Sequence, residues 1–276
     1  MTFVYRKKAF EFHGVSSGDS IQSAIGRNRT FYEVDLLEYL FSLRAYLGRA
    51  NSVAVDVGAN IGNHAVFFRT FLTDHVICVE PNPSVLPVLE QNLRKNIHGF
   101  DIVPCALGAS EGSGSLVLPA DHADDAGMAR IDRHDEAGTI GIRPLDAVLS
   151  EWSQRQSNDM VPVMIKIDVE GMELEVLKGA GDTIARYHPH LLLEAATDAD
   201  YAALSDHLGG MGYQALARWA RTPVYHFAWR PTPELMRAAQ RAKWTGRILD
   251  LTVRRLRRWL IRLAPGAGNN RSSIHR

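Results

Sequence analysis

The sequence predicts a doubly wound, Rossmann-like α/β fold, and three observations support that prediction. Residues 53–57 form a short apolar, β-branched run, which is typical of a central parallel strand covered on both faces. A glycine turn at residues 58–62 follows this run, and a helix-like segment follows the turn. The same order recurs at residues 163–180, where a second apolar strand leads through acidic residues and a glycine into a helix. Strand, glycine turn and helix together form the nucleotide pocket of doubly wound sheets.

The order of the remaining elements fits one main domain with additions at both ends. Residues 1–50 are predicted to be a lead-in, with an edge strand or hairpin arm at 2–13 and one helix at 31–47 packing on the sheet. Tyr32 and Glu33 in that helix could face the pocket, but solvated surface positions are the favoured prediction. The main domain is expected at 51–233, with strands at 53–57, 76–79, 102–106, 163–167, 190–195, 213–216 and 224–229, the last two closing the sheet as an antiparallel pair.

A segment rich in Gly, Ser and Asp, residues 110–139, is predicted to be an inserted region before the fourth strand. Short strands are expected at 115–118, 128–131 and 139–142, and the region is placed where it can cover the mouth of a pocket. Its Asp and His residues are interpreted as solvated loop positions rather than ligands, so no metal site is predicted.

The residues around the glycine turn suit a cationic nucleotide ligand. Gly58, Asn60 and Gly62 tolerate the backbone angles of a tight turn, and the glycines allow a ligand to approach closely. One glycine of the dinucleotide fingerprint is missing, and no phosphate-loop lysine follows. Glu80 lies about 20 residues past the glycines, where an acid binds ribose hydroxyls. Together with Asp56 it favours a ligand with an ammonium and a sulfonium, S-adenosylmethionine (SAM), while a dinucleotide remains the alternative.

Acidic side chains also follow two later strands. Asp168 and Glu170 come at the end of the fourth strand, and Glu194 ends the fifth. The carboxyl ends of strands are where doubly wound sheets bind ligands. The alternative is that Asp168 or Glu170 only caps the next helix. Lys166, inside the fourth strand, is expected to pair with one of the acids.

Four stretches resemble one known family, the FkbM-type methyltransferases. They are DVGANIGNH at 56–64, VEPNP at 79–83, ALG at 106–108 and KIDVEGMELEVLKGA at 166–180. The resemblance runs from about residue 31 to 194, and the last stretch is the most specific. A departure is Arg143-Pro144, where the family often has a threonine before Leu-Asp. The resemblance implies a class I SAM-dependent methyltransferase sheet of seven strands with the last antiparallel, and O-methylation of sugars or natural products.

The resemblance also implies roles for particular residues. The turn residues with Asp56 would hold the methionine end of SAM, Glu80 the ribose, and Ala106 with Leu107 the adenine. The predicted cofactor residues are Asp56, Gly58, Asn60, Gly62, Asn63, Glu80, Pro81, Asn82, Ala106, Leu107 and Asp168.

Methyl transfer to an alcohol requires a group that accepts the hydroxyl proton. A carboxylate can take the proton as the new bond forms. Asp168 is the first candidate, followed by Glu170 and Glu194, and His64 at the start of the helix after the turn is the runner-up. The predicted acceptor is a hydroxyl of a glycan or glycosylated metabolite. The rivals are an NAD-dependent oxidoreductase and a non-catalytic SAM-binding partner subunit.

Nucleic acid is not an expected partner. The Asn/Asp-Pro-Pro-Tyr/Phe signature of base methyltransferases is missing, since Asp168 is followed by Val-Glu-Gly.

Composition separates the end of the chain from its body. Of 31 basic and 31 acidic residues, 11 basic residues but one acid lie after Met236. A basic amphipathic helix is predicted at 237–263 within an extension at 234–264, followed by a disordered tail at 265–276. That helix could dock on the acidic body or lie at an anionic membrane surface.

The start of the chain and its cysteines favour a cytoplasmic location, peripheral to the membrane if the basic helix binds there. Arg6 and the two lysines after it are followed by no apolar run, and no stretch is long and apolar enough to span a bilayer. Cys78 and Cys105 lie in apolar runs and are predicted to be buried thiols rather than a disulfide or metal pair.

Overall fold

The computed structural model describes residues 1–15, 20–47, 50–118, 129–133, 135, 137–156, 159–219 and 223–243. Most of the predicted helix at 237–263 and all of the tail at 265–276 lie outside these ranges. None of the helices in the described ranges is both long enough and apolar enough to cross a bilayer.

The first part of the chain contains a hairpin, three helices and the first three strands of the main sheet. In chain order these are β1 Thr2–Tyr5, β2 Lys8–Glu11, α1 Ser20–Asn28, α2 Val34–Ser42, α3 Arg44–Leu47, β3 Ser52–Val57, α4 Asn63–Phe71, β4 His75–Val79, α5 Leu86–Asn96 and β5 Phe100–Val103. The helix predicted at 31–47 is thus two helices that meet at Leu43, which ends α2.

The second part contains a smaller sheet and the rest of the main one. Its elements are β6 Ala106–Leu107, β7 Gly112–Val117, β8 Arg130–Asp132, β9 Ile140–Arg143, α6 Leu145–Arg155, β10 Val161–Ile167, α7 Glu173–Lys178, α8 Gly181–Tyr187, β11 His190–Glu194, α9 Asp198–Gly209, β12 Tyr213–Trp219 and β13 Val224–Trp229. Residues 233–243 are helical.

The main sheet has seven strands in the order β12-β13-β11-β10-β3-β4-β5. The five strands from β11 to β5 are parallel to one another, whereas β13 is antiparallel to both β11 and β12. The prediction that β12 and β13 form the closing antiparallel pair is confirmed. Because the order reverses between β3 and β10, their carboxyl ends border the crevice where such sheets bind ligands.

Two hydrophobic clusters cover the two faces of this sheet. Alternate residues of each strand point to opposite faces, so Ala54 and Met164 join one cluster while Val55 and Ile165 join the other. The first cluster includes α2, α4 and the aromatic residues of the N-terminal hairpin, and the second includes α6, α8 and α9. Burial on both faces explains why these strands are apolar runs without alternation.

A four-stranded second sheet, in the order β6-β9-β7-β8, lies between β5 and β10 in the chain. β6 pairs in parallel with β9, and β7 pairs antiparallel with both β9 and β8. The strands predicted at 115–118, 128–131 and 139–142 correspond to β7, β8 and β9, displaced by one to three residues. Residues 119–128 of the predicted inserted region, with most of its Asp and His residues, lie outside the described residues.

The helical segment 233–243 packs on the body of the protein. Leu235, Ala239 and Ala242, at helical spacing, are buried within the first hydrophobic cluster. Arg237 and Arg241 are exposed. The beginning of the basic extension therefore docks through its apolar face and leaves its arginines accessible.

Candidate functional site

The carboxyl ends of β3, β4, β10 and β11 surround a cleft of about 1210 Å³, part of which is open to solvent. The second sheet contributes four apolar residues to its wall, and the start of α1 and residues 32–33 close another side. The polar and apolar residues that line the cleft include Tyr32, Glu33, Gly58, Asn60, Asn63, His64, Glu80, Pro81, Ala106, Leu107, Lys166, Asp168, Glu170 and Glu194.

Gly58 brings the ends of β3 and β10 together. Its φ is +73°, and a Cβ at this position would lie 1.9 Å from the carbonyl oxygen of Asp168. A residue with a side chain would therefore force the two strands apart. Gly62, with φ of +85°, does not line the cleft; a Cβ there would lie 3.0 Å from Leu89, so it serves the packing of α4 on α5.

Glu80 is held by the backbone of two turns. Its Oε2 accepts the N–H of Asn60 at 2.8 Å, and its Oε1 accepts the N–H of Asn82 at 2.9 Å. Burial raises the pKa of Glu80, and the two N–H groups partly offset that rise. A carboxylate can accept about four hydrogen bonds, so each oxygen keeps capacity for a hydroxyl in the cleft.

Asn82 and Asn63 contribute differently from what was predicted. The Asn82 side chain is buried and accepts hydrogen bonds from the N–H and O–H of Ser84, and it does not line the cleft. The Asn63 side chain accepts the N–H of Tyr32 at 2.9 Å and donates to its carbonyl at 3.2 Å. The polar groups of both asparagine side chains therefore fix loops around the cleft.

Lys166 is a buried cation between two carboxylates. Its Nζ lies 3.4 Å from Asp56 Oδ1 and 3.2 Å from Asp168 Oδ2. Burial alone would lower the pKa of Lys166, but the two carboxylates outweigh it and raise that pKa. The expected pairing of Lys166 with an acid is confirmed, and it involves two acids.

The position of Asp56 differs from the prediction that it holds the methionine end of the ligand. Asp56 and Lys166 are opposite each other in the β3–β10 register, and Asp56 is 1% exposed. It does not line the cleft. Its carboxylate is therefore a partner of Lys166 beneath the wall, and the structure does not support direct contact with the methionine end of a ligand.

Three carboxyl groups converge at one end of the cleft. Oxygens of Asp168, Glu170 and Glu194 lie within 4.8 Å of one another. Burial raises the pKa of Asp168, but Lys166 and a hydrogen bond with Glu194 lower it below its usual value. Burial and the neighbouring carboxylates raise the pKa of Glu194 to about 10. Near neutral pH Glu194 therefore carries a proton that it donates to the Asp168 carboxylate.

Hard divalent cations also prefer carboxylate oxygens, and this cluster is the place to consider one. The Lys166 ammonium already lies against Asp168, and the proton on Glu194 removes a further negative charge. The absence of a bound metal remains a prediction.

The loop after β10 is fixed by a different acid from those proposed as helix caps. Glu173 Oε1 accepts the N–H groups of Val169 and Gly171, both at 3.1 Å. The residue at the start of α7, Met172, makes no side-chain cap. Glu173, rather than Asp168 or Glu170, therefore accepts these loop N–H groups. Glu170 has a φ of +56°, a left-handed conformation that non-glycine residues adopt at a cost of about 1–2 kcal/mol.

Tyr32 and Glu33 belong to the cleft, and their prediction as solvated surface positions is wrong. Glu33, at the start of α2, has a φ of +52°, and its Oε2 lies 3.2 Å from His64 Nε2 without hydrogen-bond geometry. Burial raises the pKa of Tyr32 to about 12. The contact that places them is made by Asn63, 31 residues further along the chain. No local sequence pattern indicates such a contact.

The opposite wall is apolar. Cys105, Ala106 and Leu107 line it and are buried. Burial raises the pKa of Cys105 to about 11, so its thiol is un-ionised and inert near neutral pH. Cys78 is also free and buried, which confirms both cysteines as core thiols.

Comparisons with known proteins place the chain among methyltransferases. The sequence profile described as Methyltransferase FkbM domain matches residues 56–215, more than half of the chain. The chain is 30% identical over 129 residues to the hexuronic acid methyltransferase AglP of Haloferax volcanii, covering 47% of this chain and 50% of that protein. It is 27% identical over 168 residues to methyltransferase sdnD of Sordaria araneosa, covering 48% of this chain and 62% of that protein. The chain thus matches between half and 62% of the length of these curated relatives.

A solved structure gives a weaker likeness. The methyltransferase FkbM of Methylobacillus flagellatus KT aligns with a TM-score of 0.45 and 22% identity, covering 68% of this chain and 48% of that one.

Proposed function

The chain belongs to the FkbM methyltransferase family, whose methyl donor is SAM, and on this premise we propose that it methylates a hydroxyl group of a glycan or glycosylated metabolite. One observation carries the proposal. A glycine turn, a ribose-type acid and a carboxyl pair line the same cleft, so donor-binding and proton-accepting groups meet in one place. The relative named for hexuronic acid methylation supports a sugar as acceptor.

The residues present fit the methyl donor chemically. Glu80 has its carboxylate fixed by two backbone N–H groups and retains acceptor capacity, which suits a pair of ribose hydroxyls. The acidic wall formed by Asp168 and Glu170 suits a ligand that carries an ammonium and a sulfonium. The apolar wall at Ala106 and Leu107 suits a flat aromatic base.

The bound donor supplies an activated methyl group, so the chain's own residues have two tasks. They hold the acceptor oxygen in line with the methyl group, which is a matter of position and exclusion of water. They also accept the hydroxyl proton, a task that we assign to Asp168 and its partner Glu194. Glu170 and His64 are the alternatives, and the Glu33 carboxylate lies 3.2 Å from His64 Nε2.

Transfer of labelled methyl groups from SAM to a panel of glycans and polyketides tests this function. Labelled product with a glycan, and its loss in a Glu80→Ala variant, would support the proposal. Two results would contradict it. Hydride transfer with a nicotinamide cofactor would identify an oxidoreductase, and SAM binding without turnover on any acceptor would identify a non-catalytic subunit.

The basic extension gives the proposed enzyme a second feature. Its helical beginning docks on the body while Arg237 and Arg241 stay exposed. We propose that the basic residues of 237–263 contact an anionic membrane surface, where each such residue contributes about 1 kcal/mol.

A further inference from the structure

Carboxyl groups outnumber cations at the carboxyl ends of β10 and β11. Lys166 lies against Asp56 and Asp168, at 3.4 and 3.2 Å. Glu194, which is 8% exposed, forms no salt bridge within the part of the chain that the structure describes, and its carboxyl group contacts Asp168. Asp168 therefore lies between a lysine and a second acid.

Two carboxyl groups this close in a buried place cannot both ionise cheaply, so they share a proton. The pKa of Glu194, raised to about 10 by burial and by Asp168, places that proton on Glu194 near neutral pH. Glu170 and Glu173 add negative charge on the same side. The remaining groups that face the pair are Lys166 and, from the other wall, Tyr32, Glu33 and His64.

We propose that the Asp168–Glu194 pair holds one proton while no sulfonium lies beside it, and releases it when the sulfonium of the methyl donor binds. This inference rests on the proposed function. A positive charge beside the pair favours two carboxylates, and an opposite charge within about 4–6 Å lowers a carboxyl pKa by about 1–3. The demethylated product, S-adenosylhomocysteine (SAH), keeps the ammonium but has a neutral sulfur, so it favours release less than SAM does.

Release of this proton provides the reaction with a base only when the methyl donor is bound. The acceptor oxygen forms its bond to the methyl carbon, the carbon–sulfur bond breaks, and its electron pair stays on sulfur. The hydroxyl proton passes to the Asp168–Glu194 pair. One positive charge disappears from sulfur and one proton appears on the pair, so the cleft returns to its resting protonation state with product bound.

Calorimetry in two buffers of different ionisation enthalpy, such as phosphate and Tris, counts the protons released on binding and needs no acceptor. At pH 8 we expect SAM to release about half a proton per site if the sulfonium lowers the pKa of Glu194 from about 10 by about 2, and SAH to release clearly less. Glu194→Gln keeps the shape and a hydrogen-bond donor to Asp168, so it is expected to bind SAM without this release. Glu90→Gln removes an exposed acid paired with Arg94 and is expected to match the wild type.

Infrared difference spectroscopy gives a second measurement, which requires only the wild-type protein. A protonated-carboxyl C=O band that is lost with SAM and retained with SAH supports the inference. Binding of SAM without proton release, or equal release by Glu194→Gln, overturns the inference and leaves the proposed function intact. Failure of SAM to bind at all contradicts the proposed function itself.

Discussion

Replacing Lys166 with methionine tests the electrostatic arrangement beneath the cleft. The lysine is 2% exposed, and methionine fills a similar volume without the charge. Removing it leaves the buried Asp56 and the partly exposed Asp168 without their counterion. Breaking a buried ion pair by removing one partner costs about 3–5 kcal/mol. We expect the free energy of unfolding to fall by that amount at pH 8.

The loss of unfolding free energy in Lys166→Met should become smaller as the pH falls. In the wild type the pKa of Asp168 is lowered, so its contribution to stability is present above the unfolded pKa of about 4 and is lost as the pH falls through the folded value. In the variant Lys166 no longer opposes the effect of burial on this carboxyl, so its protonated form is favoured more than in the wild type. The unfolding free energies of the wild type and the variant therefore approach each other at acidic pH.

Urea denaturation followed by circular dichroism at pH 8 and pH 5 measures both effects. Lys178→Met is the matched control, because Lys178 is 46% exposed and pairs with Glu175 at the surface. Lys178→Met should lower the free energy of unfolding by less than about 1 kcal/mol at either pH. If Lys166→Met lowers the free energy of unfolding by less than about 1 kcal/mol, or by an amount independent of pH, then Lys166 does not neutralise Asp56 and Asp168 as described.

Three further predictions concern catalysis, the turn and the basic extension. Asp168→Asn should bind SAM but turn over about 10²–10⁴-fold more slowly in the labelled-methyl assay, and normal turnover would move the proton-accepting role to another residue. Gly58→Ala should lower the melting temperature and abolish SAM binding, because its Cβ would meet the Asp168 carbonyl. Gly112→Ala, where a Cβ has no atom within 4 Å, is the control and should change neither. Equal melting temperatures for Gly58→Ala and the wild type would disprove the close approach. Full-length protein should sediment with anionic vesicles at low salt more than a chain ending near residue 233, and equal recovery of both in the supernatant would rule out membrane contact.

Much of the fold was predictable because its signals are local. The apolar runs, the glycine turn and the acids at strand ends predicted β3, β10 and the position of the cleft. The antiparallel closing pair β12–β13 was also predictable from two late strands with a short connection. Lys166 stood out as the one charge in a buried strand, which indicated an ionic partner.

Other features depend on contacts that no local pattern records. Tyr32 and Glu33 enter the cleft because Asn63 bonds the Tyr32 backbone. Asp56 lies beneath the wall of the cleft and not in it, because the β3–β10 register places it opposite Lys166, with which it forms an ion pair. Both effects are tertiary, and both change which residues can touch a ligand.

Calorimetric titration of SAM and SAH into the wild type and Glu80→Ala tests the central claim, that this cleft binds the methyl donor. The account predicts one site in the wild type and a loss of roughly tenfold or more in affinity in the variant, because the charge-assisted hydrogen bonds to Glu80 contribute about 1.5–3 kcal/mol. Equal affinity in both proteins would remove Glu80 from the site, and no binding of either ligand to the wild type would contradict the account.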